Sequence, residues 1–353
     1  MMNKLRYEKQ IKLKGFGLPA QELLQNSKVL IIGAGGLGTP CAQYLNGAGV
    51  GTIGLIDADI INLSNLPRQT LFYEAEVGLL KVDVLFKKLH LQNSSANFIC
   101  YNEFLTPGNA LSIIKNYDLV IDASDNFGTR YLVNDSCVIL NKPFIYGAVY
   151  EFEGQVSVLN YKNGPTYRCL FSENEGLDTS LNCDENGILG VLPALIGTYQ
   201  ALEAIKIITG IGTVLSGQLL IVDTLSQSHF KISVLLKLEN KNITQLKAFY
   251  STPCCVTEVP LINYTTLKIW LEKGKKIQLI DVRNEDEFLI HNLSGSLNIP
   301  LADLDSRKEE IDFNLPVITI CATGTRSRQA AIVLTKYDNK YEVFSLNGGL
   351  TSL

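Results

Sequence analysis

The sequence is poor in the features that mark several classes of protein. Among its 353 residues no lysine- or arginine-rich run occurs, and the formal net charge is −4. That argues against a chain built to grip a nucleic-acid backbone. The first ten residues, MMNKLRYEKQ, lack the apolar core of a secretory leader. The uncharged stretch at residues 186–202 contains Pro193, Tyr199 and Gln200 and runs into Glu203 and Lys206. A spanning helix needs ~20 predominantly apolar residues, so this stretch reads as a buried helix of a soluble protein. Cysteine is too sparse for a disulfide framework, with eight in the chain at 41, 100, 137, 169, 183, 254, 255 and 321. A reducing, cytoplasmic setting is the expectation, with neither membrane nor nucleic acid as a partner.

Apolar residues make up 46% of the chain and charged residues 19%, enough to build a large core and too apolar for a disordered chain. At ~150 residues per domain the length predicts two domains or three. Residues 1–25 read as helical and amphipathic. Residues 28–32 (KVLII) are a short β-branched run that opens into a glycine turn and then a helix through Cys41. Strands follow at 51–57, 118–122 and 143–147, with a helical stretch at 81–91 between them. This alternation predicts a parallel α/β sheet. Residues 154–160 and 218–236 read as an antiparallel extension, with a buried helix at 193–209. A polar segment at 249–262 reads as a linker, so domains are expected at 1–248 and 263–353. The second begins a new α/β pattern: helix at 264–272, strands at 277–281 and 317–321, helix at 327–337.

GAGGLG at residues 33–38 follows a strand and precedes a helix. Gly33, Gly35, Gly36 and Gly38 would allow a tight turn and close backbone approach, with the helix N-terminus facing a phosphate. Asp57 ends the next strand, where an acid grips ribose hydroxyls. The loop beyond it departs from a dehydrogenase, because it carries Asn65, Arg68 and Gln69, and Lys81 follows. Two such cations neutralise more phosphate charge than a diphosphate needs. Asp122, Asp125, Asn126 and Arg130 lie just beyond another strand, where a carboxylate could hold Mg²⁺ beside phosphate oxygens.

At these residues the chain resembles the sulfur-carrier-protein adenylyltransferases of the MoeB/ThiF type, relatives of ubiquitin-activating enzymes. The resemblance covers roughly residues 4–236 and also rests on Gly147 with Glu153, Gly154 and Gln155. It implies a Rossmann-like nucleotide-binding domain with a mixed sheet. It implies ATP and Mg²⁺ as cofactors: Asp57 on the ribose, Asn65, Arg68 and Lys81 on the triphosphate, Asp125 on the metal. It implies a homodimer, because the family's N-terminal segment reaches into the partner subunit's site. That segment usually carries an arginine where this chain has Lys9, which keeps the charge but loses the guanidinium fork. Many members also carry two C-x-x-C pairs that hold zinc. Here the first region retains Cys169 alone and the second has adjacent Cys254 and Cys255, so no structural zinc is expected.

The remaining cysteines divide by setting. Cys183 lies in a polar loop, at the place where the family has a cysteine that takes part in transfer after adenylation. Cys321 opens CATGTR at residues 321–326, after a strand and before a helix. Successive backbone N–H groups there would form an anion nest that favours a thiolate or persulfide. This loop resembles that of the rhodaneses, as do Leu279–Arg283, residues 291–300 and residues 347–349. His291 reads as a structural turn residue. The chain stops soon after Gly349, so the family's usual last helix is expected to be short or absent. Cys41, Cys100 and Cys137 read as core residues.

The expected chemistry joins the two domains. The Gly-Gly carboxylate of a ubiquitin-like sulfur carrier (MoaD/ThiS-like) is adenylated, and a persulfide on Cys321 then converts it to a thiocarboxylate for molybdopterin or thiamine biosynthesis. Cys183 assists release, and an upstream donor such as a cysteine desulfurase supplies the sulfur. Three other readings stay open: a sulfur-trafficking scaffold that does not adenylate, an activator of a tRNA carboxylate, and an NAD-dependent oxidoreductase.

Overall fold

The computed structural model describes residues 4–172, 187–248, 250, 259–304, 306–322, 324–335 and 342–352. The chain divides into two compact units, residues 1–252 and 253–353.

In the first unit the short helices α1 (Glu8–Ile11) and α2 (Gly17–Asn26) precede β1 (Lys28–Ile32), α3 (Gly38–Ala48) and β2 (Thr52–Ile56). Next come α4 (Lys81–Gln92), β3 (Asn97–Tyr101), α5 (Ala110–Ile114), β4 (Leu119–Asp122), α6 (Phe127–Ile139), β5 (Phe144–Tyr150) and β6 (Glu153–Leu159). The unit closes with α7 (Tyr167–Leu170), α8 (Val191–Thr209), β7 (Gln218–Asp223) and β8 (Ser228–Ser233). The eight strands form one sheet in the order β3-β2-β1-β4-β5-β6-β7-β8. Pairing is parallel from β3 through β5 and antiparallel from β5 through β8. This is the mixed α/β sheet that the sequence predicts.

Past the exposed Lys28, β1 is apolar because both faces are covered. Val29 and Ile31 pack with α3, α4 and α8, whereas Leu30 and Ile32 pack with α5 and α6 on the other side. α8 is long and apolar enough to cross a membrane. Its buried face, with Leu192, Ile196, Ala201 and Ala204, belongs to the core, and the helix ends at left-handed Gly210. Two expectations change. Cys41 and Cys137 are buried, but Cys100 is exposed, because it lies on β3 at the edge of the sheet. The linker expected at 249–262 is narrower at both ends: Tyr250 packs in the core of the first unit, and β9 (Leu261–Ile262) pairs into the second sheet.

In the second unit β9 is followed by α9 (Tyr264–Glu272), β10 (Gln278–Asp281), α10 (Glu285–Ile290), β11 (Ser296–Asn298), β12 (Val317–Ile320), α11 (Thr325–Thr335) and β13 (Val343–Leu346). The five strands are parallel, in the order β11-β10-β12-β13-β9. Ile280, Val317 and Cys321 pack with Ala330, Ala331 and Leu334 of α11, while Leu279, Ile318 and Ile320 face Leu267 and Trp270 of α9. Asn263 caps α9 by accepting from Thr266 N at 2.8 Å.

The end of the first unit is fastened by a buried carboxylate. Asp135 of α6 accepts two hydrogen bonds from Arg168, each 2.7 Å, and a third from Tyr250 Oη, also 2.7 Å. Removing a buried acid strips its partners of their shared counter-charge, and such breaks cost about 3–5 kcal/mol. Asp135→Ala is therefore expected to lower stability against urea by that amount, and Tyr250→Phe by about 1 kcal/mol. Equal midpoints for wild type and Asp135→Ala would contradict this account.

Candidate functional site

The order of the first sheet reverses at the β1/β4 pair, and ligand crevices in such sheets open at the C-terminal ends of the strands beside the reversal. The residues singled out in the sequence gather there. Gly33 follows β1 with φ +98°, and a Cβ on it would stand 2.7 Å from the carbonyl oxygen of Ala123, just past β4. A Cβ on Gly38 would stand 1.8 Å from the carbonyl oxygen of Gly33, so α3 starts only because residue 38 has no side chain. Gly35 faces Gln69 Nε2, and Gly36 faces the carbonyl of Arg68 and the ring of Pro193. No side chain caps the N-terminus of α3.

Asp57, just past β2, accepts from Ala34 N at 2.7 Å and from Asp59 N at 2.8 Å. It thereby ties the second strand to the glycine loop. Burial pushes its carboxyl above the usual range, and the nearby Lys81 ammonium pulls it back. Lys81 opens α4 with its side chain buried, and its Nζ lies 2.8 Å from Asp59 Oδ2, a carboxylate half exposed to solvent. Arg68 is half-buried and donates to the Ser64 carbonyl at 2.8 Å. Asn65 is buried and accepts from Asn62 N at 3.0 Å. Gln69 is buried beside the loop, and its Oε1 has no hydrogen-bond partner among the described residues. An orphaned buried acceptor next to a glycine cradle suits a ligand that brings donors, such as a nucleotide.

Beyond β4, Asp125 is exposed, and Asn126 Nδ2 approaches it at 3.4 Å. Asn126 itself caps α6, accepting from Thr129 N at 2.9 Å. Its side chain therefore holds the helix that presents Asp125. Beneath these lies a buried group whose role sequence reasoning missed. Asp122 Oδ1 accepts from Ser124 Oγ at 2.6 Å, and its Oδ2 has no partner among the described residues. Burial raises this carboxyl and the Arg130 guanidinium opposes the rise. Gln200 of α8 donates to the carbonyls of Asp122 (2.7 Å) and Ile145 (3.2 Å), bracing the end of β4 against the start of β5. Its signal in the sequence is a buried amide amid the apolar residues at the centre of α8.

Lys9 is exposed on α1 and stands apart from this group. Its neighbour Gln10 donates to the Ala48 carbonyl at 2.8 Å, and Tyr7 packs on Gly49, at the far end of α3 from the glycine loop. Eleven helical residues span about 16 Å. Cys183, Cys254 and Cys255 lie outside the described residues. Cys169 is half-buried. Burial would raise its thiol, but hydrogen bonds from Asn240 Nδ2 (3.5 Å), Thr166 (3.4 Å) and Lys237 N (3.4 Å) bring it below the usual value.

The second unit carries its own constellation. Cys321 follows β12 and is fully buried. Its Sγ accepts from Gly324 N at 3.1 Å and lies 3.5 Å from Ser327 Oγ. Leu350 N donates to the Cys321 carbonyl at 2.8 Å, and left-handed Gly349 crosses so closely that a Cβ there would stand 2.4 Å from that oxygen. Ser327, Ser345 and Thr319 form a buried hydroxyl cluster under the loop. His291 is exposed, and its carbonyl accepts from Arg283 Nη2 at 2.6 Å.

Comparison with known proteins places both units. The ThiF family matches residues 7–245, and the rhodanese-like domain matches residues 264–353. The adenylyltransferase and sulfurtransferase MOCS3 of Drosophila sechellia is 39% identical over 98% of this chain and 82% of its own length. A probable molybdopterin-synthase adenylyltransferase of Porphyra purpurea is 40% identical over 98% and 92%. Among solved structures, MccB of E. coli with MccA aligns at TM-score 0.60 and 22% identity, over 69% of this chain and 75% of that one. PaaA aligns at 0.56 and 24% identity, over 66% and 75%. At these identities the likeness to the structures is one of fold. With a glycine cradle at the sheet reversal of one unit and a cysteine loop in the other, the chain belongs to the ThiF family, carries a rhodanese-like domain after it, and is an adenylyltransferase and sulfurtransferase.

Proposed function

We propose that this enzyme adenylates the C-terminal Gly-Gly carboxylate of a ubiquitin-like sulfur carrier and then replaces one carboxylate oxygen with sulfur. The names of the relatives from Drosophila sechellia and Porphyra purpurea favour the carrier of molybdopterin synthesis over that of thiamine. The observation that carries the reading is the presence in one chain of two complementary devices. One is a phosphate cradle flanked by Asp57, Arg68 and Lys81. The other is a cysteine whose sulfur accepts a backbone N–H.

In the first step a carboxylate oxygen of the carrier attacks the α-phosphorus of ATP, and the bond to the β-phosphate breaks as pyrophosphate leaves. The loop N–H groups and the uncapped start of α3 receive phosphate oxygens. Asp57 accepts from the ribose hydroxyls. Lys81 exchanges its half-exposed partner Asp59 for phosphate, and Arg68 adds charge as the leaving group forms. The Asp125 carboxylate would hold the Mg²⁺ that accompanies ATP, which supplies further positive charge to the phosphates. Its exposure and single long contact suit that role.

In the second step the outer sulfur of a Cys321 persulfide attacks the acyl carbonyl, and AMP departs with the electron pair. A persulfide sulfur stands ~2 Å beyond Sγ, which brings the nucleophile outward from a thiol that is itself buried. The product is an acyl disulfide. Attack by the Cys183 thiolate on Cys321 Sγ releases the thiocarboxylate and leaves a Cys183–Cys321 disulfide, which an external thiol reduces. A protein-borne persulfide, such as that of a cysteine desulfurase, recharges Cys321 in a reducing cytoplasm. Lys9 serves the site of a second copy in a homodimer. Its distance from its own glycine loop supports this, as do Val191, Leu195 and Leu202, exposed apolar residues on α8.

Two outcomes test the reading. Lys81→Ala is expected to lower carrier-dependent ATP–pyrophosphate exchange by about 10²–10³-fold; exchange at the wild-type rate would overturn the assignment, and none in wild type with any Gly-Gly carrier would favour a non-adenylating scaffold. Cys321→Ser is expected to keep the exchange but to abolish thiocarboxylate formation, read as the mass gain of the carrier. A carrier still thiolated by the serine variant would sink the sulfur-transfer half.

A further inference from the structure

The loop at 321–326 contains one cation, Arg326. Its guanidinium, 34% exposed, is gripped across the domain by a carboxylate 39 positions earlier: Nη1 lies 2.7 Å from Glu287 Oε2, and Nη2 lies 2.7 Å from Glu287 Oε1. This is the two-pronged pairing that gives an arginine–carboxylate contact its geometric strength. Glu287 is itself held in place, because its Oε2 also accepts from Asn284 N at 3.1 Å and so closes the capping box of α10. Pairing with Arg326 depresses the Glu287 carboxyl to about 2, so the acid is charged at any pH at which the enzyme works. The other acid within electrostatic reach of Arg326, Asp281, is already taken by Arg283, with contacts of 2.6–3.2 Å. The Cys321 sulfur lies within reach of the same guanidinium. Glu285 and Asp286, both exposed, add two further negative charges to the first turn of α10.

A small dianionic sulfur donor such as thiosulfate needs a free cation beside the acceptor sulfur. A persulfide carried on a protein cysteine does not. The geometry points to Glu287 as a specificity-determining residue that withholds Arg326 from small dianionic donors and so reserves Cys321 for protein-borne persulfides. The inference rests on the sulfur-transfer half of the function proposed above. In the thiosulfate reaction the Cys321 thiolate attacks the outer sulfur, a sulfur–sulfur bond forms, and sulfite leaves with the electron pair. Cyanide then takes the outer sulfur as thiocyanate and returns the thiolate.

Glu287→Gln separates charge from scaffold, since glutamine still closes the capping box. In the full-length enzyme with thiosulfate and cyanide, this variant is expected to lower the KM for thiosulfate about tenfold with kcat little changed. The double variant Glu287→Gln with Arg326→Gln is expected to lose that gain. An unchanged or raised KM in Glu287→Gln, or a gain that persists in the double variant, would overturn the inference. Should glutamine lower the melting temperature, Glu287→Asp, too short to span both nitrogens, is expected to give a smaller gain in the same direction. Protection of Cys321 from iodoacetamide by thiosulfate gives a readout independent of turnover, and the protecting concentration is expected to fall in Glu287→Gln. If wild type thiolates no carrier but the protecting concentration still falls in Glu287→Gln, the sulfur-transfer reading fails while the withholding of Arg326 from small dianions by Glu287 stands.

Discussion

The nucleotide site depends on backbone meeting backbone at the turn after β1. Residue 33 is confined from two sides, by the Ala123 carbonyl beyond β4 and by the first residue of α3. Neither contact leaves room for a methyl group, so the ends of β1 and β4 and the start of α3 form one rigid junction. Asp57 adds the end of β2 through the Ala34 amide, and Gln200 adds the start of β5 by donating to the carbonyls of Asp122 and Ile145. Four strand ends and two helices are thus located relative to one another within a few ångströms. Positioning of this kind is what a phosphoryl-type displacement asks of a protein, since there is little covalent chemistry for its side chains to perform.

The second unit applies the same constraint to a cysteine. Gly324 and Gly349 both adopt left-handed conformations, and they let the segment after β13 lie directly against the carbonyl of Cys321. The hydroxyls of Thr319, Ser327 and Ser345 are buried and bonded to one another or to backbone carbonyls, which fixes the start of α11. The sulfur therefore sits at a defined place, 3.1 Å from the Gly324 amide nitrogen.

Much of this architecture is legible in the residues themselves. KVLII reads as a strand because four of its five residues are apolar and buried, and the glycine spacing at 33–38 reads as the tight turn between β1 and α3. α6 is harder to read, because Asn134, Asp135 and Ser136 interrupt its apolar pattern. These residues are buried all the same, Asn134 accepting from Tyr167 N at 2.7 Å and Asp135 taking Arg168. β3 escapes because an edge strand alternates weakly, and β9 because two residues carry no period. Within the sites, what escapes is always a contact between distant positions. Gln200 and Asp122 are 78 residues apart and Glu287 and Arg326 are 39 apart, and no local pattern joins them. The one local clue to Glu287 is the Asn284–Glu287 capping spacing, which announces a helix start and nothing of the loop it faces.

The two units treat their cations in opposite ways, and the difference follows from the charge each must meet. Lys81 is buried, but its partner Asp59 is half exposed, so a polyphosphate can displace that carboxylate at little cost in desolvation. Among the described residues the Arg68 guanidinium donates to a backbone carbonyl and pairs with no carboxylate, which leaves its charge available to an anion. Arg326 is matched nitrogen for oxygen by a carboxylate that a helix cap already immobilises, so an incoming anion would have to break two short, two-pronged bonds at once. A triphosphate carries about four negative charges and a persulfide sulfur about one, so the proposed reactions ask for several cations in the first unit and, at Cys321, for little beyond the Gly324 amide and the start of α11. Of these cations, the two whose partners are a half-exposed carboxylate or a backbone carbonyl thus lie in the first unit, whereas the loop cation of the second is paired with a carboxylate that a helix start holds in place.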